Sequence, residues 1–235
     1  MFRAIRPAIA GRMASLQRMD DCPLWADGKH VEGTMSESPT PKSLKAQITR
    51  TSLVLAAAAL LRDEGPKAVT YRKVAKWAGA ASSSVGYYFD SVTELLHEAG
   101  MYNIQLWAQR ADRVADLSDK MEPEECRARI TELLTRACLP DDSVIPAAHY
   151  AQLIGAADSE VVTEAYRKGR VLLDAAIARI LDRAGVPMTP RIVVALVDGA
   201  AVASISEGYN VREMADKLLG EAIEAIEAYT KVVQE

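Results

Sequence analysis

The chain has 235 residues, 49% hydrophobic and 26% charged, with a net charge of −4. That is enough apolar material for a sizeable core, which excludes a disordered protein, and the acidic average argues against a whole-surface polyanion binder. Three cysteines, Cys22, Cys126 and Cys138, form no CxxC pair, which fits reduced thiols and suggests neither a disulfide frame nor a metal site.

The charge is unevenly spread: residues 1–41 are neutral, residues 42–91 carry +5 and the rest −9. A small basic module joined to a larger acidic one is expected where only one part touches nucleic acid, although chance clustering on a solvated face produces the same counts. Residues 1–42 are rich in Pro, Gly, Asp and Ser, show no sustained period, and read as a flexible N-terminal extension. Its first residues, MFRAIRPAIAGRMAS, lack the continuous apolar run of a secretory signal, and native translation is expected to start at Met13, Met19 or Met35. Apolar runs further on are expected to be too short and too often interrupted by charge to span a bilayer. The expectation is a soluble, cytoplasmic protein with no membrane partner.

From Ser43 onward the period is helical, and the sequence predicts an all-α protein of about nine helices with no convincing strand. A first helix is expected over Ser43 to Glu64, with Ile48, Leu53, Ala56, Ala57, Leu60 and Leu61 facing inward and Gly65-Pro66 stopping it. Thr70 is a good N-cap for YRKVAKWA, a helix ending at Gly79. A short third helix is expected over residues 82–89. Ser91 with Glu94 forms a capping box for a fourth, whose apolar positions Leu95, Leu96, Ala99, Leu106 and Trp107 continue to about Leu117. Later starts are signalled by Glu122-Pro123, Asp141-Asp142, Asp158-Ser159, Thr189-Pro190, and Asn210 with Glu213.

Residues 78–91, AGAASSSVGYYFDS, give the second and third helices the proportions of a helix-turn-helix. A reading helix must approach base edges closely, which suits the small hydroxyls of Ser82, Ser83 and Ser84, while Tyr87 and Tyr88 can hydrogen-bond phosphates. Positive charge comes from the flanks, where Lys45, Arg50, Arg72 and Lys73 can straddle a groove and supply salt-dependent affinity. A solvated serine loop with packed tyrosines is the alternative at this point.

The run TYRKVAKWAGAASSSVGYYFDSVTELL, preceded by RTSLVLAAAALLRDEGPKAV, resembles the DNA-binding region of the tetracycline-repressor (TetR/AcrR) family of bacterial transcription regulators. Arg50, Leu53, Ala56, Ala57, Gly65, Thr70, Arg72, Val74, Ala75, Ala78, Gly79, Tyr88, Phe89, Ser91 and Leu95 fall in its register. The resemblance implies a three-helix DNA-binding domain over 43–95 and a helical ligand-binding and dimerisation domain over 96–235. It also implies a homodimer built from the last two helices on a palindromic operator, released by a small molecule, with Thr70 among the DNA-facing residues. Two family phosphate contacts are missing, since Gly86 replaces an aromatic residue and Val92 a lysine. Arg72 then becomes the leading base contact, because a guanidinium can grip guanine bidentately. Trp77 is expected to pack on the first helix or the extension.

Tyr102, Trp107, His149, Tyr150, Gln152 and Tyr166 suit a mostly apolar effector cavity with a few polar groups, although core packing explains the same pattern. No cofactor or metal is implied. Ile192, Leu196, Gly199, Ala200 and Ala203 form a small-residue face and Leu218, Ala222, Ile226 and Tyr229 an apolar stripe, together expected to make the dimer interface; completion of the subunit's own core is the alternative. No nucleophile-base pair or paired acids mark a helical enzyme. An interaction protein with a weakened DNA-binding domain remains the other rival.

Overall fold

The computed structural model describes residues 43–141 and 144–234, which lie within one compact unit. The extension, and with it the expected translation starts, lies outside the described residues. Helix α1, Leu44–Glu64, starts where the Ser43 hydroxyl accepts from the Ala46 amide at 3.2 Å. A 3-10 turn over Pro66–Ala68 leads to α2, Tyr71–Ala78, capped by Thr70, whose side chain accepts from the Lys73 amide at 3.3 Å. Gly79 closes α2 in the left-handed region at φ 67°, a conformation that costs glycine little. Then come α3, Ser82–Tyr88, and α4, Val92–Ser118. At the head of α4 the Ser91 hydroxyl accepts from the Glu94 amide at 3.0 Å. The return half of the capping box shifts by one residue, since Glu94 accepts from the Asp90 amide at 2.7 Å.

The later helices are α5, Pro123–Ala128; α6, Ile130–Cys138; α7, Pro146–Gly155; α8, Glu160–Ala184; α9, Pro190–Glu207; and α10, Val211–Gln234. Among the described residues there is no strand, and the helices number ten. The extra one arises at Arg129, whose backbone (φ −110°, ψ 15°) breaks the expected helix after Glu122-Pro123 in two. The helix expected at Asp141-Asp142 begins instead at Pro146, where a missing amide is harmless in the first turn.

Two apolar clusters divide the fold. Leu53, Ala57, Leu60 and Leu61 of α1, Val74 and Ala75 of α2, Val85 of α3, Phe89, and Leu95 and Ala99 of α4 form the core of the N-terminal head. Ile48, expected to face inward, is exposed, and burial in α1 begins only at Leu53. The expectation about apolar runs also needs correction: α1 is long and apolar enough to cross a membrane, because Arg50 is the sole charge between Ile48 and Leu61. Its buried residues, from Leu53 to Leu61, belong to the head's core, while Leu44 and Ile48 are exposed. The second cluster gathers the far half of α4 with α5, α6, α8, α9 and α10. Helix α4 thus passes through both.

Against α4 lies α8, so close at Gly169 that an added Cβ would come within 2.2 Å of Ile104 Cγ2. Further along, Arg179 of α8 donates to Asp112 at 2.6 Å and Asp116 at 2.7 Å, and also reaches Asp119, fastening α8 to the end of α4.

Candidate nucleic-acid interface and regulatory site

Helix α3 is anchored on one side and open on the other. Val85 is fully buried, while Ser82, Ser83 and Tyr87 are exposed, Tyr87 at 78%, and Ser84 and Tyr88 are half-buried. Tyr88 holds Tyr87 edge to face at 5.0 Å. Behind the helix, the Tyr71 hydroxyl donates to the Phe89 carbonyl at 2.7 Å, and burial together with Glu94 and Asp90 raises its pKa so that it keeps this proton. Lys45, Thr70, Arg72 and Lys73 are exposed on the same head. Lys73 pairs with Glu64 at 2.7 Å, an exposed contact that solvent screens.

Arg50 is placed otherwise than expected. Its guanidinium pairs with Glu98 of α4 at 3.0 Å and lies 4.9 Å from the centroid of the Phe89 ring. Its charge is engaged inside the head, clamping α1 to α4, and it leaves the set of phosphate contacts. Trp77 is 51% exposed. Gly86 is exposed, and a Cβ there would meet Tyr71 Cε2 at an ordinary 3.6 Å. Nothing in the subunit requires glycine there. Gly86→Ala is therefore expected to stabilise α3 by about 0.5–1 kcal/mol through backbone entropy, read as a higher denaturation midpoint; a lower midpoint would show an unrecognised need for glycine.

Five of the six expected effector residues meet between α4, α7 and α8. Trp107 faces His149 at 5.1 Å and Tyr166 at 5.2 Å, and His149 faces Tyr150 at 5.3 Å. The Gln152 amide donates to the Tyr166 hydroxyl at 2.9 Å, and the Tyr150 hydroxyl donates to Asp198 of α9 at 3.0 Å. Tyr102 stands apart from these ring contacts and packs, half-buried, against the head's core. Burial, helped by the neighbouring Arg110, pushes the His149 pKa down to about 4, so the imidazole is neutral near pH 7. Burial likewise pushes the Cys138 thiol up to about 12.

Sequence reasoning missed Asn103, Arg110 and Asp198. Asn103 and Arg110 stand four residues before and three after Trp107, hence on one face of α4; that spacing was the available signal. Asn103 is 1% exposed and extends the Gln152–Tyr166 contact into the head. Its side chain is a polar neighbour of the Tyr166 hydroxyl, its amide donates to the Ala58 carbonyl of α1 at 3.2 Å, and its oxygen accepts from Arg62 at 3.4 Å. A continuous polar chain thus joins the aromatic site to the backbone of α1.

On the last two helices, Ile192, Gly199, Ala203 and Tyr229 are exposed, while Leu196, Leu218, Ala222 and Ile226 are half-buried against the second core. Ala200 is buried within its own subunit and cannot line an interface as expected, because it shares the inward face of α9 with Val193, Val197 and Ser204.

An all-helical arrangement of the described residues, with an exposed third helix on a separate head and an aromatic, polar-tipped site in the larger part, has the build of a transcription regulator. Residues 53–99 match the profile of bacterial regulatory proteins of the tetR family. A transcriptional regulator from Saccharomonospora viridis in complex with choline is 20% identical with a TM-score of 0.57, covering 74% of this chain and 95% of its own. A regulator from Pseudomonas aeruginosa PAO1 is 17% identical with a TM-score of 0.58, covering 79% and 93%. SmeT, the repressor of the Stenotrophomonas maltophilia multidrug efflux pump SmeDEF, is 16% identical with a TM-score of 0.51, covering 77% and 91%. No curated protein sequence matches. The head is a tetR-family helix-turn-helix DNA-binding domain, and the chain as a whole has the fold of the TetR-family transcriptional regulators. These are regulators rather than enzymes.

Proposed function

We propose that the protein is a transcriptional repressor that grips a palindromic operator as a homodimer and lets go when a small molecule enters the site around Trp107. The observation that carries this is α3, whose serine end is open to solvent while Val85 and Phe89 hold its other side in the head. Ser82, Ser83 and Ser84 then face base edges, Tyr87, Tyr88 and Thr70 face phosphates, and Lys45 and Lys73 supply sequence-independent attraction. Dimerisation through the exposed parts of α9 and α10 spaces two α3 helices about 34 Å apart, one turn of DNA. Relatives of the same fold point the same way, one being in complex with choline and another repressing an efflux pump.

The lever is α4, which crosses both cores, together with the Gln152–Tyr166–Asn103 chain to α1. A ligand that prefers one tilt of α4 changes the spacing of the reading helices by its differential affinity for the two states. Electrophoretic assays on DNA flanking the gene test the reading: binding that resists competitor and weakens with salt is expected. Arg72→Ala should cost about 1–3 kcal/mol on the cognate site and relax base preference, whereas Lys45→Ala should weaken all duplexes alike. Equal losses for both variants on cognate and random DNA would contradict these roles. The engagement of Arg50 with Glu98, added to Gly86 and Val92, favours a second reading as an interaction protein with a weakened DNA-binding domain; absence of DNA binding even at low salt selects it.

A further inference from the structure

We infer that the molecule taken by the site around Trp107 is a planar organic acid, its carboxylate paired with the Arg110 guanidinium and its ring laid against the Trp107 indole. The inference rests on the reading of that site as the effector site and adds the chemistry of what enters it. Arg110 follows Trp107 by one turn of α4, and its Nε is buried with no hydrogen-bond partner among the described residues. Among the described residues no carboxylate meets the Arg110 Nε, and two of the nearby ones are engaged elsewhere. Asp198 accepts from Tyr150 at 3.0 Å and Asp174 pairs with Arg170 at 2.6 Å. Asp141 attracts Arg110, but Arg113 and Arg212 act on it in the opposite sense. Burial lowers the pKa of this guanidinium and also keeps His149 beside it neutral. A desolvated cation without a close counter-ion is costly, and an arriving carboxylate removes that cost through the bidentate geometry guanidinium favours.

The rest of the site specifies the body of the ligand. Trp107, with His149 and Tyr166 tilted against it at 76° and 59°, makes an aromatic wall that suits a flat ring. Gln152 is only 8% exposed, and its Oε1 has no partner although its amide donates to Tyr166. That oxygen calls for a hydroxyl or N–H on the ligand. A quaternary ammonium such as choline, carried by the Saccharomonospora viridis relative, meets a repelling Arg110 here.

The experiment is calorimetric titration of the full-length protein with 4-hydroxybenzoate, benzoate, 4-hydroxybenzamide and choline, with duplex binding measured in parallel. The acid 4-hydroxybenzoate is expected to bind at least about tenfold more tightly than its neutral amide, since a charge-assisted pair is lost in the amide. Arg110→Gln should erase that preference without lowering the melting temperature, Arg110→Lys should keep part of it, and Gln152→Leu should erase the preference for 4-hydroxybenzoate over benzoate. Equal affinity for acid and amide, tighter binding of choline, no acid binding at millimolar concentration, or acid binding unchanged in folded Arg110→Gln overturns the inference. Acid that binds through Arg110 yet leaves duplex affinity unchanged upholds it and sinks the release mechanism instead. Release of DNA by the amide or choline at concentrations where 4-hydroxybenzoate has no effect does the reverse.

Discussion

Replacing Phe89 with alanine is expected to cost about 3–5 kcal/mol and to abolish DNA binding. Phe89 is 1% exposed and is the largest fully buried side chain among the described residues. It sits at the end of α3, where one residue performs several tasks: its ring fills the core formed by α1, α2 and α4, Arg50 stacks above it, and its carbonyl accepts from Tyr71. Truncation leaves a cavity, takes away the surface beneath the Arg50–Glu98 pair, and frees the C-terminal end of the reading helix. The second core shares none of these contacts. Hydrogen exchange should therefore show protection lost in residues 44–99 before α9 and α10, as expected when one cooperative unit is weakened selectively. A variant that keeps cognate DNA affinity, or whose denaturation midpoint moves by less than about 0.5 kcal/mol, would show that the head does not depend on this ring.

Asn103→Leu is expected to separate sensing from release. Leucine has a similar volume but cannot answer the Ala58 carbonyl or Arg62, both of which Asn103 now meets, or the neighbouring Tyr166 hydroxyl. The Ala58 carbonyl keeps its helical bond from the Arg62 amide, so losing the second contact costs about 0.5–1.5 kcal/mol of stability. The functional effect is sharper, because Asn103 is where the polar chain from Gln152 passes from the regulatory site into α1. With the link cut, 4-hydroxybenzoate should still bind while the ratio of duplex affinities with and without it falls toward one, a loss of about 1–3 kcal/mol of coupling. If that ratio stays at the wild-type value, the packed surface of α4 against α8 carries the signal alone, and Asn103 is a structural residue.

Much of this was legible in the sequence because helix ends are local events. Ser43, Thr70, Ser91, Thr189 and Asn210 each cap a helix through an oxygen that reaches an amide two or three residues on, and Gly79 ends α2 because it alone among its neighbours enters the left-handed region cheaply. The reading helix was legible for the same reason, being bounded by a glycine turn and a capping box. Periodicity likewise marked the buried residues of α1 from Leu53 onward.

What the sequence could not determine is which face of each long helix meets which neighbour. Arg50 reads as one more cation in a basic segment, and only the approach of Glu98, 48 residues away, together with the Phe89 ring makes it an internal clamp. Ala200 belongs equally to an interface or a core until α9 is set against the rest of the subunit. Asn103, Arg110 and Asp198 carry no motif, and they become parts of a site only when α4, α7, α8 and α9 converge. Caps and turns are decided by neighbours along the chain, so residue types alone determine them. The partner of a buried charge or amide is decided by the three-dimensional packing of distant helices, so the tertiary structure had to supply it.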